Sequence, residues 1–403
     1  MNQGSDMKLA ILPLPFNLDV AQSILSQAGN CAHEFVFIDM QERIDRIPAS
    51  WWPQNAKAVA CSPSDVDGVI KLVEAEACTQ VISTAEAGLT IAAKVRKHFG
   101  FAGHSEDVEL FSIDKSLMRD TLVEKGLSSV QSFRTTVAEL AEALLSVDFP
   151  VVVKPVRLGG SICVQLLSSY PEVEGYLERV RNHPYGGDKT ELTVESYIGG
   201  KEFSVEGQVF DGQVYYYGLT EKRTTDAPYF VETGHTFYTR HPHLETFADY
   251  FQQVFEELSM RNCPFHVEFK VDGDKIEIIE LHSRFGGDFI TDLIYFSTGA
   301  EVFADQFNFL ADKTVPAPIK TQDRLVSIEF VMAQEGELQA FAFPTQFESC
   351  VNVLKQKQDA RIGDKIKSST GFYDRIGWMI FESDSPQSRD EHLKLFTPVV
   401  TVG

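Results

Sequence analysis

His266-Val267-Glu268-Phe269-Lys270, then Asp272-Gly273-Asp274, then Glu277-Ile278-Ile279-Glu280-Leu281-His282-Ser283-Arg284, reads as two adjacent strands and the turn between them. Half-buried strands alternate apolar and polar residues, with the polar ones facing water. The runs around Glu268 and Glu280 are apolar enough for core strands. A carboxylate set in such a strand costs free energy unless it is paired or binds a cation. Taken as a hairpin with a three-residue loop, the pattern puts Glu268 opposite Ile278. Glu280 is then its diagonal neighbour, roughly 7–8 Å away between backbones. Glu280, His282 and Arg284 share a face by the strand period of two. Two carboxylates, an imidazole and a guanidinium thus converge. That set suits divalent cations bridging nucleotide phosphates, with Arg284 holding a transferred phosphoryl group. The competing reading is an amphipathic hairpin with a solvated acidic face.

The rest of the chain gives this hairpin a setting. At 403 residues it exceeds one ordinary core, so roughly two to four domains are expected. A net charge of -22 argues against a nucleic-acid surface and against an anionic membrane surface. No run of about 18 apolar residues is present, so no transmembrane helix is expected. The start of the chain lacks a basic stretch followed by a long apolar one, so no secretory signal is expected. The cysteines, at 31, 61, 78, 163, 263 and 350, are scattered and form no CxxC pair. That pattern favours a reducing cytoplasm over a disulfide framework or zinc site.

The first hundred residues alternate short apolar strands (8–14, 34–39, 56–61, 80–84) with helical patterns (20–28, 65–77, 89–99), which predicts a parallel sheet with helices on its faces. No GxGxxG follows the first strand, so a dinucleotide site is not supported. A helix over 114–122 stops at Gly126. Strands at 130–133, 150–154, 162–167 and 191–198 alternate with helices at 137–146 and 172–182. Strands 202–210 and 213–219 meet at Asp211-Gly212, a hairpin signal. The stretch 225–243 reads as a long polar and aromatic loop, and 244–260 as a helix leading into the Glu268 hairpin. After a linker at 315–318, the tail reads as strands (325–331, 350–354, 377–382) with a last helix near 389–396, and it offers few candidate catalytic residues.

Other pieces carry weaker chemistry. Val151-Val152-Val153-Lys154-Pro155 is a buried strand ending in a lysine, beside the loop Leu158-Gly159-Gly160-Ser161. A lysine there is a point charge for phosphate oxygens, and glycines let backbone N–H groups approach them. The alternative is a simple turn with a snorkelling lysine. Glu195 sits in a strand and Glu202 just past a glycine turn, where a strand backbone can pair with an adenine edge and a carboxylate can accept ribose hydroxyls. Solvated surface glutamates are the plain alternative. Asp114-Lys115 opens a helix, as a capping aspartate and an exposed lysine also would.

Taken in order, Lys115, Val153-Lys154-Pro155, Gly159-Gly160-Ser161, Glu195-x-Tyr197-Ile198, Glu202, Glu268 and Glu280-x-His282-x-Arg284 resemble the ATP-grasp superfamily. The resemblance implies an ATP-grasp fold of mixed α/β and α+β class. It divides the chain into an N-terminal parallel-sheet domain (1–112), a small lid subdomain with a linker helix (113–200), a large subdomain with the metal site (201–317) and a small C-terminal α+β domain (318–403). It implies that Lys115 and Lys154 contact ATP phosphates, and that Gly159, Gly160 and Ser161 close over them. Glu195, Tyr197 and Ile198 would meet adenine and Glu202 the ribose. Glu268 and Glu280 would hold Mg²⁺ or Mn²⁺, with His282 beside them.

A narrower likeness lies in Phe230-Val231-Glu232-Thr233-Gly234-His235 and Arg284-Phe285-Gly286-Gly287-Asp288, which are similar to the L-amino acid ligases. It implies that Glu232, His235, Arg284 and Gly287 surround an amino acid and its acyl-phosphate, with Asp288 at the same place. Glu232, His235 and Arg284 would carry the chemistry. The reaction implied joins two amino acids through an acyl-phosphate with release of ADP and phosphate, in a cytoplasmic protein that is commonly a homodimer. Two features depart from the pattern. His282 stands where the superfamily often has Asn, and since Mg²⁺ prefers oxygen ligands, His282 is expected to orient a metal-bound water or the substrate. Asp288 stands where some dipeptide ligases carry a bulky aromatic, so it is expected to receive a substrate amine or another cationic group. Other readings are a ligase for a non-amino-acid carboxylate, an ATP-binding regulatory protein without turnover, and a kinase that stops at phosphoryl transfer.

Overall fold

In a computed structural model the described residues are 7–344, 351–366, 375–396 and 398–403; Cys350 and the first six residues fall outside them. The alternating N-terminal segment forms β1 (Lys8–Ile11), β2 (Glu34–Asp39), β3 (Ala56–Ala60) and β4 (Gln80–Ile82), a sheet of order β3-β2-β1-β4 with all pairings parallel. Both faces of β1 and β2 are apolar and buried, as helices packed on each side require.

A second four-stranded sheet has the order β5-β8-β6-β7, from β5 (Ser132–Thr136), β6 (Val151–Pro155), β7 (Gln165–Leu167) and β8 (Glu191–Ser196). It keeps its own core, with Tyr176 and Leu177 of the helix Val173–Asn182 against Val151, Val153 and Val194. The glycine loop and Lys154 lie on it.

The third sheet has eight strands and is antiparallel throughout. It takes in β9 (Lys201–Phe210), β10 (Gln213–Thr224), β11 (Glu232–Tyr238), β12 (Cys263–Asp272), β13 (Lys275–His282) and β14 (Leu325–Met332). After β15 (Gly336–Ala342) come β16 (Val351–Gln358), β17 (Lys365–Ile366) and β18 (Arg375–Ser383), and β19 (Val399–Val402) is last. The order is β13-β12-β9-β10-β11-β14-β18-β16, while β17-β15-β19 form a small separate sheet. Two expectations differ from this layout. The stretch 225–243, expected as a loop, contains β11, which is buried on both faces along Gly234 to Phe237 with polar His235 and Thr236 among them and so lacks an apolar alternation. The expected division at 317/318 falls between strands of one continuous sheet, because β14 pairs directly with β11.

The helix Pro242–Glu257 covers one face of this sheet. Pro242 stands in its first turn and the His241 side chain accepts the His243 N–H, so the start is pre-set and capped. Phe247, Phe251 and Phe255 recur every four residues and pack with Phe265, Phe269 and Val267. Burying one such phenylalanine contributes roughly 1.5–3 kcal/mol. The opposite face packs on the helices Ile290–Thr298 and Val302–Asp312, whose core is shared with β1, β2 and the helix Leu18–Gly29 of the N-terminal segment. Among the described residues, no helix is long and apolar enough to cross a membrane.

Candidate active site

The hairpin β12–β13 closes with Asp272 opposite Lys275, so the turn has two central residues rather than three, and Gly273 takes φ +61° there. From this turn the register would keep Glu268 beside Ile279. A bulge after Glu268 instead gives Phe269 opposite Ile278 and Glu268 opposite Glu280. The expected diagonal pairing is corrected to a direct one, because the bulge admits one extra residue on β13 and re-aims the residues beyond it. Two carboxylates now face each other across the sheet, with side chains 17% and 19% exposed. Such a like-charged pair is destabilising unless cations intervene.

Protein cations and imidazoles surround it. Lys222 of β10 bonds Glu268 and lies 2.7 Å from Glu232. Burial opposes its charge, but Glu232, Glu268 and Glu202 raise its pKa well above the usual lysine value. Lys115 stands 3.5 Å from Glu280 and donates to the Leu158 carbonyl at 2.8 Å. His266 reaches Glu268 at 3.0 Å and His282 reaches Glu280 at 3.2 Å. Burial alone would raise both carboxyls; Lys222 and His266 for Glu268, and Lys115 and His282 for Glu280, hold them well below the ordinary range. Every bond to Glu268 goes to Oε1, so Oε2 has no hydrogen-bond partner among the described residues.

The carboxylates lie on a wall shared by two cavities. One, of about 140 Å³, is lined by Lys154, Gly160, Ser161, Glu195, Tyr197, Ile198, Glu202, Phe230, Lys270 and both carboxylates. Tyr197 and Phe230 stack with centroids 6.1 Å apart, and the Lys270 amine lies 5.3 and 4.9 Å from their centroids. Burial, with Glu268 and Glu232 adding and the Lys222 and Lys270 charges opposing, pushes Glu202 up to about 7. The adenine contact expected at Glu195 was through the strand backbone, and its side chain has another task. The side chain is 2% exposed and bonded by Lys154 at 3.0 Å and by the fully buried Arg119 at 3.3 Å, so its carboxylate serves as their counter-ion. Burial raises its pKa, yet Lys154 and Arg119 bring it below the usual value. Ser161 holds φ +56° and donates to the Phe230 carbonyl at 3.2 Å, tying the glycine loop to the segment before β11.

The other cavity, of about 400 Å³, is lined by Gly159, Glu232, His235, Arg284, Gly287 and Asp288, and shares Gly160, Glu232, Glu268 and Glu280 with the first. His235 is fully buried, with Nε2 3.0 Å from Asp288 Oδ2. Asp288 also accepts from Arg375, which donates to the Glu232 carbonyl at 2.9 Å and stacks 3.5 Å over Phe330. The cationic group expected at Asp288 is thus supplied from within the chain. Arg375 belongs to the tail, which the sequence reading passed over as poor in catalytic residues. Arg284 is held at 3.0 Å by Glu86 from the N-terminal segment. Burial raises Glu86, but Arg284 and His282 draw it below its ordinary value. Glu86, Arg119, Glu206, Lys222, Lys270 and Arg375 were all missed as site residues. Isolated charges carry no spacing signal, and Lys222 stands between Glu221 and Arg223, so nothing in its local sequence marked it as buried.

Residues 147–292 match the family described as ATP-grasp domain. The whole chain superposes on the crystal structure of an L-amino acid ligase from Bacillus licheniformis with a TM-score of 0.80, at 18% identity, over 98% of this chain and 99% of that one. This is the ATP-grasp fold. The same ATP-grasp architecture relates it to the biotin carboxylase domain of 2-oxoglutarate carboxylase from Hydrogenobacter thermophilus, solved in complex with MgADP (TM-score 0.67, 14% identity, 98% of this chain and 90% of that one). Among curated relatives, Dapdiamide A synthase of Enterobacter agglomerans is 26% identical over 182 residues, 43% of this chain and 42% of that protein. Alanine--anticapsin ligase of Bacillus subtilis (strain 168) is 24% identical over 249 residues, 55% of this chain and 52% of that protein. The chain thus spans about half the length of the curated relatives it matches.

Proposed function

We propose that this protein is an ATP-dependent carboxylate–amine ligase that joins two amino acids by an amide bond through an acyl-phosphate, with release of ADP and phosphate. The observation that carries the reading is the Glu268–Glu280 pair on the wall between two cavities. One cavity offers lysines and an aromatic pair, the other Arg284 and the His235–Asp288 pair. The names of the L-amino acid ligase, alanine--anticapsin ligase and Dapdiamide A synthase support it.

The donor set fits a divalent cation. Glu268 and Glu280 offer hard oxygen ligands facing each other, and Glu268 keeps an oxygen without a protein partner among the described residues. Bound there, Mg²⁺ or Mn²⁺ would neutralise charge on phosphate oxygens. The nucleotide would lie in the smaller cavity, its base against Tyr197 and Phe230 and its phosphates toward Lys154 and Lys115. A substrate carboxylate oxygen would attack the γ-phosphorus, forming the acyl C–O–P link as the bond to ADP breaks. The amine nitrogen of the second substrate would then attack the acyl carbon; the C–N bond forms, phosphate leaves and the amine gives up a proton. Arg284 stabilises the oxyanion of that step. His235, oriented by Asp288, positions the amine or takes its proton. The loop Gly159 to Ser161 shields the acyl-phosphate from water. Cys31, Cys61, Cys78, Cys163 and Cys263 are all free, which supports a cytoplasmic setting.

The test is ADP and phosphate release with ATP and Mg²⁺ across pairs of common L-amino acids, followed by mass spectrometry. Release that needs two amino acids, with a product one water lighter than their sum, supports the reading. Silence across the panel with ATP binding intact would turn the assignment to a different carboxylate or amine, or to an ATP-binding protein without turnover. A stable phosphorylated product would make it a kinase.

A further inference from the structure

Each hairpin carboxylate is met by an imidazole, and each imidazole is held from behind. His266 Nε2 lies 3.0 Å from Glu268 and its Nδ1 2.9 Å from Glu206. His282 Nε2 lies 3.2 Å from Glu280 and its Nδ1 3.1 Å from the Ser112 carbonyl. The rings are register partners, 5.9 Å apart with planes 13° from parallel. The two arms mirror each other except in what stands behind them: a hydrogen-bonded carboxylate for His266, and for His282 the Ser112 carbonyl, with the Glu86 carboxylate farther off at 3.7 Å.

Glu206 has no part in the proposed reaction, yet it is 1% exposed in the middle of β9. The Ser204 and Thr220 hydroxyls both donate to its Oε1, at 2.6 and 3.2 Å, and His266 Nδ1 stands 2.9 Å from Oε2 and 3.1 Å from Oε1. A buried carboxylate carries a large desolvation cost unless it is paired, and here its one titratable hydrogen-bond partner among the described residues is the ring that touches Glu268. We propose that Glu206 is a positioning residue that acts through His266 to fix the orientation of Glu268, and hence the affinity of the divalent-cation site. Groups placed behind metal ligands in this way typically change affinity about 10–100-fold when removed. The inference rests on the cation-binding role proposed for Glu268.

The experiment reads Mn²⁺ binding from loss of the free-ion electron paramagnetic resonance signal, with ADP at fixed concentration and an ADP-only blank. Glu268→Gln serves as the control. Glu206→Ala is expected to weaken binding about 10–100-fold. Glu206→Gln, whose amide oxygen still accepts the imidazole N–H, should stay within a few-fold of the parent. In a His266→Gln background, Glu206→Ala should add no further loss. A merely structural role would lower the thermal midpoint of all these variants without this pattern in Mn²⁺ affinity. A folded Glu206→Ala protein that binds Mn²⁺ like the parent, while Glu268→Gln does not, overturns the inference. Should Glu206→Ala fail to fold, His266→Gln decides: parent-like binding overturns the inference and a tenfold loss sustains it. If Glu268→Gln itself binds like the parent, the cation role of the hairpin fails first.

Discussion

Replacing Lys222 by methionine keeps much of the side-chain length and removes the charge around which the acidic face is assembled. The Lys222 side chain is 2% exposed, lies 2.7 Å from Glu232 and also bonds Glu268. Breaking a buried ion pair from one side costs roughly 3–5 kcal/mol, because the partner is left as an uncompensated buried charge. Two carboxylates lose a partner here, but Glu268 keeps His266 at 3.0 Å and Glu232 keeps Arg375 at 3.5 Å, so the expected loss stays within about 3–5 kcal/mol rather than doubling. The assay is denaturant unfolding of parent and Lys222→Met in EDTA, repeated with saturating Mg²⁺. A cation bound only to the folded state adds about 2.7 kcal/mol at a hundred times its Kd. The variant, with one more uncompensated carboxylate charge, should gain more from Mg²⁺ than the parent, so the gap narrows. A variant within about 1 kcal/mol of the parent in EDTA would refute the claim that Lys222 holds the cluster together.

Three further outcomes are expected. Arg119→Met removes a fully buried guanidinium from Glu195 and from the Ile278 carbonyl, and should cost about 3–5 kcal/mol in denaturant unfolding; a loss below about 1 kcal/mol would count against it. Burial, and then the His243 ring, depress the His241 pKa to about 4, so the unfolded chain binds more protons between pH 6.5 and 4. The stability contribution is therefore present above pH 6.5 and lost as pH falls through 4. His241→Asn, which keeps a capping acceptor, should lose about 1–2 kcal/mol less than the parent between pH 7 and pH 4, once screening at this partly exposed ring is allowed for; equal losses would remove the argument. Arg375→Met leaves Asp288 and the Glu232 carbonyl without their guanidinium, and is predicted to lower kcat/KM for the substrates of the proposed ligation at least tenfold while ATP affinity holds. Unchanged kcat/KM would place Arg375 outside the substrate chemistry.

The sequence exposed those parts of the site that sit in conspicuous patterns. Glu268 and Glu280 stood out because they interrupt apolar strands, and Lys154 because it ends one. Their pairing did not, since a bulge is one extra residue whose position depends on what the neighbouring strands require. β11 was hidden for a related reason. Its neighbours His235 and Thr236 are buried on opposite faces, where Asp288 meets His235 Nε2 and Ser327 meets the Thr236 hydroxyl, so no alternation marks the strand. Glu206 reaches His266 across 60 positions of sequence and Arg375 reaches Asp288 across 87, and no local window contains both members of either pair. The N-terminal sheet was legible because its strands and helices alternate in short order and each buries a simple apolar face.

The pairing of β11 with β14 has a consequence for how the chain can be divided. A protein stopped after residue 317 would keep both hairpin glutamates and the glycine loop. It would also turn β11 into an unprotected border strand, with free N–H and C=O groups along the stretch Gly234 to Phe237 that β14 now occupies. Such a fragment would seek another chain to complete its sheet and would self-associate as its concentration rises. The same cut would remove Arg375 and leave Asp288 its imidazole alone. The last quarter of the chain is therefore no detachable module: the sheet that seats the chemistry is finished only when β14, β18 and β16 have been added to it.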